Sequence, residues 1–127
     1  MAAAVGDIQP TQYSPAKLPK TDLPESLALE KVPDILSELS PLKQPHQRLI
    51  GFAAQTGDIV TPAKDKLKRK GLDAIATNPV DLPNSGFGGN QNQAVLIDKH
   101  GHQLEISNCS KLSMAHKLLD FIRDLSS

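Results

Sequence analysis

Fourteen Lys plus Arg balance fourteen Asp plus Glu over 127 residues, which suits one ordinary domain and leaves no overall field to draw the chain onto nucleic acid or an anionic membrane. The lone cysteine, Cys109, cannot form an internal disulfide, the start lacks a charged-then-apolar leader, and no apolar run approaches the roughly 20 residues of a membrane-spanning helix. The expectation is a cytoplasmic protein with neither nucleic acid nor membrane as partner, a reading reinforced by the absence of Trp and the scarcity of Phe and Tyr for base stacking.

Met1 to Val5 is small and apolar from the first residue. Chain ends are normally polar and frayed, so this reads as the end of a buried strand whose beginning is missing. Gly6 to Pro24 holds four prolines and little apolar periodicity. Because proline removes a backbone donor and fixes φ, the stretch reads as a long loop, with residues 8–24 a flexible flap carrying Lys17 and Lys20. Leu27, Leu29 and Val32 suggest a short strand. Pro33 fits the first position of a helix running through Leu39, which Pro41 and Pro45 end.

Arg48 to Ala54 is continuously apolar after its first residue, as expected of a central strand covered on both faces. A helix starts near Thr61 and Pro62. Ile59, Ala63 and Leu67 give its buried stripe, and Gly71 is placed to stop it. Leu72 to Ala76 is the next strand, and Asn78 to Asn92 a second long loop. Ala94 to Ile97 and Gln103 to Ile106 flank Lys99 to His102 as a hairpin. Ser110 caps a last helix with Leu112, Ala115, Leu118, Leu119, Ile122 and Leu125 on one face. Alternation of strand and helix from residue 27 to about 77 argues for βαβ units. The fold class is therefore α/β: a Rossmann-like three-layer sandwich with a mainly parallel sheet, a C-terminal hairpin and a covering helix.

The chemistry centres on the strand Leu49 to Thr56 and the basic helix after it, a corner at which α/β sheets place phosphorylated ligands. Lys66 and Lys70 are four residues apart and share one helix face, where they grip a phosphate chain or form a solvated basic face. Lys17 is either the mobile cation of a lid or an ordinary loop lysine. Asp7 stands where a strand end meets a crevice, although a turn aspartate has the same pattern. Ser85 to Asn90 lacks the glycine spacing of a dinucleotide loop. The four histidines show no metal-ligand spacing and Cys109 no activating neighbour, so neither a protein-held metal nor a cysteine nucleophile is expected.

Taken together, six ordered motifs resemble the bacterial phosphopantothenoylcysteine synthetase family over almost the whole chain. They are Met1 to Asp7, Lys17 to Lys20, Val32 to Leu36, Gly51 to Thr56, Lys66 to Lys70, and Gly86-Phe87 with Asn92. The resemblance implies a phosphopantothenate-cysteine ligase that activates the carboxylate of 4′-phosphopantothenate with CTP and lets cysteine displace CMP. By similarity, Asp7, Pro33, Asp34, Ile35, Leu36 and Phe52 hold the nucleotide, Lys66 and Lys70 its phosphates, and Lys17 serves turnover of the acyl intermediate and contacts the nucleotide. It further implies Mg2+ with the CTP, a homodimer, and FMN only in a separate decarboxylase domain. The family's domain begins upstream of the counterpart of Met1, so residues 1–127 are expected to be the C-terminal portion of an incomplete domain, with the N-terminal half or decarboxylase domain as further partners. Gln55 departs from the family's usual Glu, Pro19 interrupts its basic run, and Asn78-Pro79 replaces Asn-Asp. The competing reading is a non-catalytic nucleotide-binding or interaction module derived from a truncated synthetase.

Overall fold

The computed structural model describes residues 5–81 and 91–125. Met1 to Ala4, with most of the expected strand end, and Ser85 to Asn90, with Gly86 and Phe87, lie outside the described residues. The chain divides into two units, residues 1–35 and 36–127, and each is described by itself.

In the first unit, β1 (Ile8–Pro10) pairs antiparallel with β2 (Leu29–Lys31), with Ile8 opposite Lys31 and Pro10 opposite Leu29. The Val32 N–H donates to the Asp7 carbonyl and the Thr11 N–H to that of Ala28, both at 3.0 Å, extending the ribbon at its two ends. This corrects the expected loop: residues 8–10 are strand, and the flap reading applies only to the segment between the two strands, which contains one 3-10 turn at Lys20–Asp22. Three residues ending in proline carry too little periodicity to announce a strand, and Pro10 is tolerated because it closes one. The strand expected near Leu27 to Val32 exists, but it belongs to this ribbon and not to the main sheet. Every described residue from Val5 to Lys31 is exposed, as a two-stranded ribbon has no interior of its own.

Helix α1 (Ile35–Leu39) starts two residues later than the proline rule suggests, and Ser40–Leu42 follow as a 3-10 turn. The second unit is built on β3 (Ile50–Gln55), α2 (Val60–Arg69), β4 (Ala74–Pro79), β5 (Gln91–Asp98), β6 (Gln103–Ser110) and α3 (Lys111–Arg123). Its sheet order is β3-β4-β5-β6. The α/β class and the three layers are as expected. The parallel pairing, however, is confined to β3–β4, joined through α2, while β5 and β6 run antiparallel to their neighbours. A parallel β4–β5 crossover needs a dozen or more residues, usually helical, and the Gly- and Pro-rich sequence from Val80 to Asn90 has no helical period.

Strand alternation assigns the layers. Ala53, Ile75 and Ile97 point to one face and join Ala63 and Leu67 of α2, whereas Ala76, Leu96 and Ile106 point to the other, against Met114, Leu118 and Phe121 of α3. Helix α2 ends in a Schellman motif, with Leu72 N–H on the Leu67 carbonyl and Gly71 N–H on that of Lys68. Gly71 takes φ +59°, and a Cβ there would collide with the Ser40 hydroxyl. Ser110 caps α3 as expected, accepting the Ser113 N–H at 3.1 Å. The buried face of α3 differs from the expectation: Met114, Leu118 and Phe121 pack inward, while Leu112 and Leu119 stay 70% and 63% exposed. Two overlapping apolar stripes run along this helix, and sequence periodicity alone does not say which one meets the sheet.

Candidate functional site

Strands β4 and β5 are zipped at one end and parted at the other. Their ladder starts at Ala74 opposite Asp98 and stops at Thr77 opposite Val95, although β4 runs on to Pro79 and β5 begins at Gln91. Pro79 has no N–H to offer a ladder. Beside the parting, the β5–β6 register shifts between Asn92 and Ala94, the mark of a bulge, which turns side chains off the regular alternation. The result is a cleft of about 110 Å3 lined by Phe52, Ala76, Asn78, Asn92, Gln93, Ala94, Leu96, Met114 and Leu118. Three consecutive residues, Asn92 to Ala94, face it, which an unbroken strand forbids.

The floor is apolar, formed by Ala76, Ala94, Leu96, Met114 and Leu118. Phe52, 67% exposed, forms one wall. Asn78, Asn92 and Gln93 are half-buried and contribute neutral amides that both donate and accept. Such a surface suits a flat ring with a hydrogen-bonding edge. Phe52 is thus a sequence-predicted residue that the structure places in the wall of a cleft between the sheet and α3, beside Ala76 and Asn78 of β4.

The other predicted residues fall elsewhere. Asp7, Lys17, Pro33, Asp34 and Ile35 belong to the first unit, where Asp7, Lys17, Pro33 and Asp34 are exposed. Leu36 packs against the cluster of Ala63, Leu67 and Ile75, so in this structure its side chain supports the core. Lys66 and Lys70 are half-buried on α2, flanking Leu67 as expected. They sit on the helix covering the opposite face of the sheet from Phe52, and neither lines the cleft.

The β3–α2 corner is braced from within. The Asp58 carboxylate accepts the Val60 N–H at 3.0 Å and the Thr61 N–H at 3.2 Å, and Asp81 accepts the Gly57 N–H at 3.0 Å. The Thr61 hydroxyl, with the Thr61 and Val60 amides, holds Asp58 below the usual aspartate range. These donors are the ones a helix N-terminus would aim at a phosphate, and the chain's own carboxylates already engage them. In this structure the corner's amides brace the loop after β3 through the chain's own carboxylates.

Sequence reasoning missed two buried aspartates at the zipped end. Asp73, 2% exposed, accepts the Leu49 N–H at 2.8 Å and pairs with the ammonium groups of Lys43 and, at 3.4 Å, Lys99. Burial pushes its carboxyl up, but Lys43, the Leu49 amide and Lys99 together outweigh that and hold it below the usual range. Asp98, 5% exposed, accepts the backbone N–H groups of His100 and His102 and meets His102 Nδ1 at 2.8 Å. Its burial is likewise outweighed, chiefly by His102. The available signal was a lone carboxylate inside the apolar run Leu72 to Ala76, since a buried charge needs partners.

Residues 1–125 match the family model described as the DNA/pantothenate metabolism flavoprotein C-terminal domain. The chain is 40% identical over 124 residues to the coenzyme A biosynthesis bifunctional protein CoaBC of Bacillus subtilis, covering 98% of this chain and 30% of that protein. It is also 40% identical over 99 residues to a cysteine/cysteine sulfinic acid decarboxylase of an unknown prokaryotic organism, covering 78% of this chain and 28% of the other. Among solved structures it resembles the C-terminal domain of CoaBC with a TM-score of 0.70 and 28% identity, over 94% of this chain and 50% of that one. The chain thus spans less than a third of these two relatives and half of that solved domain.

Proposed function

We propose, since the chain belongs to the DNA/pantothenate metabolism flavoprotein C-terminal domain family, that it works in coenzyme A biosynthesis as part of a CTP-dependent ligase joining 4′-phosphopantothenate to cysteine. The family match over residues 1–125 carries this reading. In the first step a carboxylate oxygen of 4′-phosphopantothenate bonds to the α-phosphorus of CTP and pyrophosphate leaves. In the second the cysteine amine attacks the acyl carbon, CMP departs, and the amine gives up a proton as the amide forms. A carboxylate is a poor electrophile until its oxygen becomes a good leaving group, and the polyanionic transition state needs fixed cations.

In this reading Phe52 stacks on the nucleotide, Asp7 and the Pro33, Asp34, Ile35 and Leu36 segment hold its sugar side, and Lys66 and Lys70 contact phosphate. Lys17, on the exposed segment between β1 and β2, brings its ammonium to the acyl-cytidylate. Among the described residues no three His, Cys, Asp or Glu side chains converge to hold a cation. A magnesium ion accompanying the triphosphate would supply positive charge to the polyanionic transition state. The working form would be a cytoplasmic homodimer, with the rest of the relatives' domain as its complement. The alternative is a nucleotide-binding module without chemistry.

The test is CMP release from CTP, 4′-phosphopantothenate and cysteine, measured on the chain alone and on the chain joined to the amino-terminal part its relatives carry. Release in either supports the ligase. Its absence in both, with CTP still bound, leaves the binding module. Lys17→Gln should bind CTP and accumulate the acyl-cytidylate, whereas normal turnover would remove its role. Unchanged CTP affinity in Lys66→Gln with Lys70→Gln would remove theirs.

A further inference from the structure

Helix α1 is short, Ile35–Leu39, and has no fully buried residue. A helix of that length does not hold itself in water, so its place is set by outside anchors. Leu36 packs against the cluster of Ala63, Leu67 and Ile75. Ser40, half-buried directly after the helix, donates its hydroxyl to the Gly71 carbonyl at 3.1 Å. Lys43, just past the 3-10 turn, pairs with the buried Asp73. Two of the three anchors thus fall on the segment that closes α2, where Gly71 follows Lys70 and the Leu72 N–H completes the Schellman motif. Gly71 admits the serine: at φ +59° and without a side chain it leaves the space that the hydroxyl takes, and a Cβ there would collide with it.

The nucleotide reading gives the two sides of this joint different tasks. Leu36, at the second position of α1, belongs to its sugar-side segment, and α2 carries its phosphate lysines, Lys66 and Lys70. A ligand that spans both sides binds best when their spacing is set in advance, because the unliganded chain then need not give up freedom on binding. We propose that Ser40 is a positioning residue for nucleotide binding: its hydroxyl, seated on the Gly71 carbonyl, fixes the segment from Leu36 onward against the C-terminal end of α2 before the nucleotide arrives. This rests on the nucleotide reading above and adds which contact sets the spacing of its two sides. Without that bond the docked state of α1 is less populated, and a ligand that needs the docked state binds more weakly by the same factor. For one neutral hydrogen bond that factor is roughly three- to tenfold.

The test uses the full chain, with amide hydrogen exchange on the unliganded protein and calorimetric titration with CTP and with inorganic triphosphate. Ser40→Ala should speed exchange at the amides of α1 and at Lys43, whose N–H donates to the Ser40 carbonyl, and leave the sheet amides protected. CTP affinity should fall roughly three- to tenfold. Inorganic triphosphate needs the lysines alone, so its affinity should not change. Ser40→Thr keeps the hydroxyl and should restore both exchange and CTP affinity. A purely structural role would lower the two affinities together. If Ser40→Ala fails to fold, Ser40→Cys, a weak donor of nearly the same size, replaces it, and the same split is expected. The inference is overturned if exchange in α1 is unchanged, if CTP and triphosphate weaken equally, or if CTP binds the variant as it binds the parent chain. In those cases the nucleotide reading stands as long as the parent chain binds CTP. A parent chain that binds no CTP overturns that reading and the positioning role with it.

Discussion

The two ends of the β4–β5 pair are made from the same two strands and solve opposite problems. At one end Asp73 and Asp98 are buried, and every contact around them closes the structure: Lys43, Lys99 and the Leu49 amide on Asp73, His102 and two turn amides on Asp98. At the other end the ladder stops early, Pro79 withholds a donor, a bulge interrupts β5–β6, and polar side chains face a cleft. Polar groups at the first end satisfy one another, and at the second they stay available. A hydrogen-bonding group spent on holding strands together is no longer available to a ligand, and among the described residues this sheet places the two kinds of group at opposite ends of β4 and β5.

Asp73→Ala should break the zipped end most severely. It leaves the Leu49 N–H without its acceptor beside a cavity and removes the partner of two ammonium groups that keep 24% and 36% side-chain exposure, a loss of about 2 kcal/mol or more. Urea denaturation measures it, and a loss below about 1 kcal/mol would mean the aspartate is not the clasp. Acid should weaken the same end less abruptly. Asp73 and Asp98 both have folded pKa values depressed from the ordinary 3.8. Their contribution is therefore fully present above that value and lost as pH falls through the lower folded values. Urea midpoints should be flat near neutrality and drop below about pH 4. The drop should shrink in Asp98→Asn, and an unchanged acid profile in that variant would dissociate Asp98 from the effect.

Gly71→Ala comes next, at about 1 to 2 kcal/mol, because an L-residue at φ +59° is strained and its Cβ meets the Ser40 hydroxyl. Thermal unfolding checks it, and Ser40→Ala should recover the part due to the collision. The smallest stability effect belongs to the open end. Phe52→Ala removes a side chain that is 67% exposed and should change unfolding free energy by no more than about 0.5 kcal/mol, while CTP affinity falls. A large stability loss there would show that Phe52 is core and that the two ends are less distinct than their geometry suggests.

Local signals in the chain were sufficient for the βαβ unit, the hairpin, the Ser110 cap and the Gly71 stop, because each depends on near-neighbour sterics or on one periodic face. Phe52 was legible as a candidate nucleotide-binding residue only through its motif. Tertiary structure decided the rest. Ile8–Pro10 became a strand because Leu29–Lys31 lies beside it, a pairing no local propensity encodes. Helix α3 carries two apolar stripes, and only contact with Ala76, Leu96 and Ile106 selected Met114, Leu118 and Phe121. Lys66 and Phe52 look like neighbours in one motif-rich stretch, yet strand alternation and helix packing put them on opposite faces. The cleft needed a proline at the end of one strand, a bulge in another and a helix above both. A sequence states which residues are polar, and the meeting of distant strands decides whether those residues bind each other or a ligand.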